Sequence, residues 1–291
     1  MSLRAQALHE FELPATPARV DELSSPLSGD EALRVHAPAG VFLLLCSRGA
    51  LALAFEATLF ELLAEARYPA PRPRRTRSGS FVARLKADDG STSGASCYAW
   101  PPGELLAPGD ATPPQLLEVG RLCARLHQLA ETHPVAVNDP AGGTLLSEAL
   151  GQGREALVLR KVLAEKLSSL PSGAVHGGLG PARTLFMGDR CSSVMPGGRA
   201  CTGPLVLDVA EAVVLWGLGT AHAAAALRAI VSGYQALRRL AAEEKDALFT
   251  ALRYAAAREG ARRLSANEPD VLAPLLAADA LGEAEARAAA G

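Results

Sequence analysis

Apolar residues change their spacing along the chain near residue 103, and that change divides it into two parts. Residues 1–30 read as an irregular or short helical lead-in. Leu33 and Val35, then Val41-Phe42-Leu43-Leu44-Leu45, read as two short strands joined by the turn Ala37-Pro38-Ala39-Gly40. Phe55, Leu59, Leu62 and Leu63 recur at helical spacing within 52–66, and Tyr68-Pro69-Ala70-Pro71 ends that helix. Phe81, Val82 and Leu85, followed by Ser96-Cys97-Tyr98-Ala99-Trp100, suggest a second hairpin whose loop starts at Ala87-Asp88-Asp89-Gly90. Pro101-Pro102-Gly103 closes this strand-rich zone.

Beyond it the spacing is mostly helical. Pro113-Pro114 opens a helix, and Leu116, Leu117, Val119, Leu122, Cys123 and Leu126 mark its apolar face. Further helices are expected at 153–169, 219–240, 242–258 and 268–280, with a frayed Ala-rich end from Glu283 to Gly291. Residues 174–215 break the pattern. Their apolar runs Thr184-Leu185-Phe186 and Leu205-Val206-Leu207 read as a hairpin with a long, flexible link from Cys191 to Gly203.

A chain of 291 residues is long enough for one large core or two lobes. The formal net charge of -2 gives no electrostatic case for nucleic acid or an anionic membrane as a partner. The run Arg72, Arg74, Arg75, Arg77 is local and reads as a solvated loop. The five cysteines (46, 97, 123, 191 and 201) lack metal spacing and suit free thiols; Cys191 and Cys201 flank a Gly/Pro-rich loop and are open to pairing, a reduced pair being the default. No apolar stretch reaches membrane-spanning length and no signal-peptide pattern is present, so a cytoplasmic location is expected.

Val175-His176-Gly177-Gly178-Leu179-Gly180-Pro181-Ala182-Arg183-Thr184-Leu185-Phe186 resembles the catalytic loop of the aminoglycoside phosphotransferase and homoserine kinase superfamily. In that loop an Asp two residues after the His orients the acceptor hydroxyl, and an Asn five further on holds Mg²⁺. Supporting segments follow in order: Glu56 on the helix whose Glu pairs with the ATP-binding Lys; a hinge at Tyr98-Ala99-Trp100-Pro101-Pro102-Gly103-Glu104; Leu117 to His127 as the first large-lobe helix; and Val206-Leu207-Asp208 as the apolar-apolar-Asp of the metal-binding strand. Gly233-Tyr234 and the runs 243–248 and 252–263 resemble the closing helices. The resemblance spans roughly 27–265. It implies an α+β, protein-kinase-like fold: a small antiparallel-sheet lobe with one helix (1–100), then a mostly helical lobe (101–291).

The chain departs from that family at specific points. Gly178 stands where the acceptor-orienting Asp belongs, and Arg183 stands where the Asn belongs. A Gly has no side chain to orient an acceptor, and a guanidinium cannot coordinate a cation. No Lys precedes residue 86, and Leu45 falls on the strand that carries the phosphate-binding Lys. Arg34 and Arg48 are nearby cations, but an Arg does not simply replace that Lys. The glycine loop over the phosphates is reduced to Ser28-Gly29-Asp30. Losing one such group costs about a hundredfold to a thousandfold in rate, and here several are absent together.

The expected protein is therefore a pseudokinase with a binding or regulatory role, acting on an unknown protein partner or small molecule. The alternative is an active, divergent kinase of a small hydroxyl- or amino-bearing metabolite, using ATP and Mg²⁺, with Asp189 or Glu211 as an unforeseen base. No cofactor is expected on the first reading. No confident catalytic residue is assigned: His176, Gly178 and Arg183 occupy the degenerate loop positions, and His176 reads as a structural brace. The cleft positions are Gly29, Leu45, Glu56, Trp100 and Gly103, and Asp208 is the one candidate metal ligand. Its preferred role is a salt bridge to Arg183, and Glu56, having lost its Lys, reads as an exposed helix residue. Gly177, Gly178 and Gly180 read equally as a backbone anion nest or a plain turn. Among the other histidines, His127 reads as a helix-end contact, and His9, His36, His133 and His222 share no metal spacing.

Overall fold

A computed structural model describes residues 2–23, 31–47, 50–87, 90–131, 153–164, 167, 170–197 and 199–291. Gly29 and the rest of Ser28-Gly29-Asp30, as well as Arg48 and His133, lie outside the described residues.

The N-terminal part begins with α1 (Leu3–Glu10), capped by the Ser2 side chain, which accepts from the Ala5 N–H at 3.3 Å. A five-stranded antiparallel sheet follows, built from β1 (Arg19–Leu23), β2 (Glu31–Ala37), β3 (Gly40–Ser47), β4 (Ala83–Lys86) and β5 (Thr92–Ala99). Its spatial order is β1-β2-β3-β5-β4, with α2 (Ala50–Glu65) crossing between β3 and β4. The two expected hairpins are present, and β1 adds an edge strand to the lead-in expected over 1–30. Because side chains alternate across a strand, β3 is buried on both faces. Phe42, Leu44 and Cys46 pack under α1 with Leu8 and Phe11, whereas Leu43 and Leu45 face α2 and the rest of the molecule.

After the hinge, β6 (Glu104–Leu105) pairs with β8 (Thr184–Met187), which also pairs with β9 (Arg190–Val194). The helices are α3 (Pro113–Glu131), α4 (Arg154–Leu163), α5 (Leu205–Gly217), α6 (Ala223–Gln235), α7 (Ala242–Ser265) and α8 (Ala273–Ala290). β7 (Ser172–Val175) pairs with β10 (Cys201–Pro204), bracketing the segment from 176 to 200. The largest core lies between α3, α5, α6 and α7, and α2 joins it through Phe55, Leu59 and Leu63. Helices α3 and α6 approach so closely that a Cβ on Gly120 would lie 2.0 Å from the Ile230 carbonyl oxygen.

Two expectations change, and the default of unpaired cysteines holds. The partner of the 184–186 strand is β9, not 205–207, which begins the buried helix α5. Its run of apolar residues is buried all round, and a helix surrounded by core reads from sequence much like a strand. The C-terminus is helical to Ala290 rather than frayed, because Ala286 and Ala290 are buried and α8 packs on α6 and α7. All five cysteines are free thiols, Cys46, Cys97 and Cys123 being buried.

Candidate functional site

The catalytic-loop-like segment is held from below by Asp208. Its carboxylate accepts from the His176 N–H and the Gly177 N–H, both at 2.9 Å, and lies 3.2 Å from His127 Nε2. Arg238 donates to the Tyr234 hydroxyl at 2.9 Å, so that O–H points to His127 Nδ1 at 2.8 Å and leaves the Nε2–H for Asp208. Glu244 grips Arg238 through both carboxylate oxygens, at 2.9 and 3.1 Å, and anchors the far end of this chain. Burial pushes the Asp208 pKa up, but the hydrogen bonds from the His127 ring and the His176 N–H more than offset it, and the group titrates below the usual carboxylate range.

Asp208 therefore sits in the first turn of α5, not on a metal-binding strand, and it binds the loop rather than Arg183. The loop N–H groups of His176 and Gly177 are turned inward to this carboxylate, so they form no nest for an external anion. His127 is likewise a buried link in the chain, not a helix-end contact. Among the described residues, Cys123, His127 and Asp208 form a group of three possible metal ligands, their donor atoms within 4.8 Å of one another. Each is already hydrogen-bonded, and a set with a single oxygen donor does not suit Mg²⁺.

Since β9 is the partner of β8, the apolar-apolar-Asp position at the end of that hairpin is filled by Val194-Met195-Pro196, with no carboxylate. Arg183 is buried and points to Glu56, the charge that opposes the lowering of its pKa by burial. Glu56 is itself fully buried, contrary to the exposed position expected, and accepts from the Gly197 N–H at 3.0 Å. Thus the helix Glu is held by the Gly197 N–H, with the charge at the metal Asn position acting on it. The donors that Mg²⁺ requires are absent at all three loop and hairpin positions.

On the small-lobe side, the strand position of the phosphate-binding Lys is apolar and buried. Leu45 is buried in a cluster with Leu43, Leu53, Phe60, Tyr98, Leu185 and Met195, which joins the sheet and α2 to the β8–β9 hairpin. At the hinge, the Arg34 guanidinium lies 4.4 Å above the Trp100 ring. Gly103 has φ +124° and lies so close to the hairpin that a Cβ would stand 2.3 Å from Ser192 Oγ. Leu45 offers no phosphate contact, and the loop and hairpin positions offer no donor for a metal.

The other half of the cleft is open. A cavity of about 590 Å³ lies beyond the loop, between the 176–183 segment, α5 and α7, and is lined by His176, Gly178, Arg183 and Arg199 among others. A Cβ on Gly178 would lie 3.6 Å from Arg199 Cδ, so the Arg199 side chain runs past the place where the acceptor-orienting carboxylate would project. His176 Nε2 lies 3.0 Å from the Met195 carbonyl oxygen and donates to it, leaving Nδ1 a buried acceptor without a partner. Sequence reasoning missed Arg199, which lies in a link expected to be flexible. Asp189 is in the β8–β9 turn, bonded to Thr112 and away from the cavity, and Glu211 is buried against Arg258. Trp216 is buried and donates to the Leu179 carbonyl oxygen at 3.0 Å, packing α5 onto the loop.

A small lobe of five antiparallel strands with one helix, hinged to a helical lobe across a loop of this kind, is the protein-kinase-like fold. The match to known proteins is more specific. Residues 20–249 match the model of the phosphotransferase enzyme family, and the chain belongs to that family. It is 30% identical over 221 residues to the homoserine kinase of Granulibacter bethesdensis, covering 69% of this chain and 67% of that protein. It is 28% identical over 242 residues to the homoserine kinase of Rhodopseudomonas palustris, covering 77% and 72%. Among solved structures, a microcompartment-associated aminopropanol kinase superposes with a TM-score of 0.66 at 17% identity, over 99% of this chain and 98% of that one. The amicoumacin kinase hAmiN, in complex with AMP-PNP, Ca²⁺ and Ami, superposes with a TM-score of 0.66 at 12% identity, over 93% and 89%. No helix among the described residues is long and apolar enough to cross a membrane.

Proposed function

We propose that this chain is a phosphotransferase-family protein without phosphotransfer activity, a pseudokinase whose open half-cleft binds a small molecule. One observation carries the reading: Leu45, at the strand position of the phosphate-binding Lys, is buried in an apolar cluster and offers no cation to a phosphate. Gly178, Arg183 and Pro196 support it, since each replaces a group that handles the acceptor or the metal. Phosphoryl transfer is catalysed by positioning and charge neutralisation, so a fold without those groups retains the scaffold and not the chemistry.

A differential melting experiment with Mg-ATP, Mg-GTP and Mg-ADP tests this directly. A family member with working phosphate contacts is stabilised by RT ln(1 + [L]/Kd), about 2.7 kcal/mol at a hundredfold excess over Kd. The expected result is no shift with any of the three and no phosphate transfer to homoserine or amino alcohols. Mg-dependent turnover by the purified protein overturns the proposal.

The second reading is an active, divergent kinase of a small hydroxyl- or amino-bearing metabolite. Its support is the family itself, with homoserine kinases among the relatives, and an acceptor-side cavity that persists. It requires phosphate contacts from a cation other than a Lys at position 45 and a base other than Asp189 or Glu211. Turnover in the same assay favours it.

A further inference from the structure

The buried network around Asp208 includes a thiol that holding the loop does not require. Cys123 lies four residues before His127 on α3, so the two side chains share a face, and Asp208 meets them from the first turn of α5. Cys123 Sγ lies 3.8 Å from His127 Nε2 and 3.9 Å from Asp208 Oδ2, and the latter two are 3.2 Å apart. All three side chains are buried. A thiol, an imidazole nitrogen and a carboxylate oxygen thus converge on one point. Zn²⁺ binds such ligands tetrahedrally, at about 2.3 Å from sulfur and about 2.0–2.2 Å from nitrogen or oxygen, which sets its ligand atoms roughly 3.3–3.6 Å apart. The three observed separations differ from that by a few tenths of an ångström.

The outer contacts suit ligation too. Asp208 Oδ1 accepts from the Gly177 N–H at 2.9 Å, while Oδ2, which takes the His176 N–H, faces the thiol and the imidazole. His127 Nδ1 faces the Tyr234 hydroxyl at 2.8 Å, and Arg238 and Glu244 hold that hydroxyl in place. Partners of this kind fix the orientation of a ligating ring and strengthen its bond to a metal. The charges also balance. A dication with one thiolate and one carboxylate is neutral, and a buried site favours a neutral assembly.

We propose that Cys123, His127 and Asp208 hold one Zn²⁺ as a structural ion beneath the loop. On binding, the Cys123 thiol gives its proton to solvent and its sulfur bonds the metal. The His127 ring proton passes from Nε2, which bonds the metal, to Nδ1, which donates to the Tyr234 oxygen as the Tyr234 O–H rotates aside. One proton is released overall. Thiolate and imidazole select Zn²⁺ over Mg²⁺ or Ca²⁺. Among the described residues no further Cys, His, Asp or Glu joins the group, so a water supplies the fourth ligand, beside the Tyr68 hydroxyl, which feels the charges of Cys123 and Asp208. Because the site is closed, the ion enters as the chain folds and its binding adds to the free energy of folding. The site stands whether or not the chain transfers phosphate.

The test is to unfold the full chain in urea, refold it with Zn²⁺ or Co²⁺, dialyse, and count retained metal by mass spectrometry. A single ion per chain is expected, with a thiolate-to-Co²⁺ charge-transfer band and a higher thermal midpoint than the metal-free protein. Cys123→Ser keeps a small polar group and is expected to lower retention at least tenfold and abolish the band. Cys191→Ser, a thiol change outside the site, is expected to leave both unchanged. No retained ion, a band that survives in Cys123→Ser, or a band lost in Cys191→Ser overturns the proposal. Should Cys123→Ser not fold, X-ray absorption of the Zn²⁺-loaded parent decides: one sulfur at about 2.3 Å supports the site, and a shell of nitrogen and oxygen alone overturns it.

Discussion

The Asp208 carboxylate accepts from the backbone N–H of Gly177 at 2.9 Å, and this contact fixes the loop that defines the family. Gly177 has φ +69°, and a Cβ there would stand 2.5 Å from the Arg199 carbonyl oxygen. Loop, α5 and the Arg199 segment are thus locked together from both sides.

Replacing Asp208 by Ala leaves two N–H groups and His127 buried without their acceptor. The expected loss is about 3–5 kcal/mol, read as a shift of the urea midpoint. Because the folded pKa is lowered, the stabilisation is complete above the unfolded carboxyl pKa of about 3.9 and is lost as pH falls through the folded pKa. Asp208→Asn should flatten the stability profile in that acid window, and a profile that still falls there as steeply as the parent contradicts the assignment.

Arg183→Asn restores the family's amide but strands Glu56, which is fully buried. A loss of about 3–5 kcal/mol is expected, with no gain of Mg²⁺ binding by calorimetry. The double change with Glu56→Gln should recover part of that loss, and full additivity of the two substitutions would argue against their pairing.

Leu45→Lys puts an ammonium group into an apolar cluster, where burial pushes a lysine pKa down by several units. The variant should melt earlier and gain stability as pH rises above neutral, since the neutral amine is the form tolerated inside. It should show no Mg-ATP shift, because Gly178, Arg183 and Pro196 still offer no metal donor; a shift of several degrees would mean that Leu45 alone disables the nucleotide site.

Gly233→Ala tests packing apart from function. A Cβ on Gly233 would lie 2.0 Å from the Leu117 carbonyl oxygen, backbone that cannot swing aside. Helices α3 and α6 would have to separate, at a cost of about 3 kcal/mol or more. A thermal midpoint within a degree of the parent would refute that closeness.

Much was legible in order and spacing. The alternation in β2, the unbroken apolar run of β3 and the period of nearly four along α3 placed the two parts and their junction. The loop from His176 to Phe186 stood out by its glycines and the strand after it, and the absence of an Asp at 178 and a Lys at 45 needed no coordinates. What failed was the assignment of Asp208. The run Leu205-Val206-Leu207 has no polar face, because the helix it opens is covered on every side, and uniform burial erases the period that separates helix from strand. Likewise Glu56 looked idle because the Gly197 N–H that it accepts from, and the Arg183 charge it faces, lie far along the sequence.

Local residue order by itself determined the fold and the list of missing chemical groups, since both depend on side-chain type and on periodicity within short windows. Only the tertiary structure decided which face each charge meets: that Leu45 shares a core with Leu185 and Met195, that Asp208 faces the loop, and that Arg199 enters the open half of the cleft. Those pairings join segments tens to more than a hundred residues apart, where the free energy comes from burial and charge in a shared space and leaves no periodic trace along the chain.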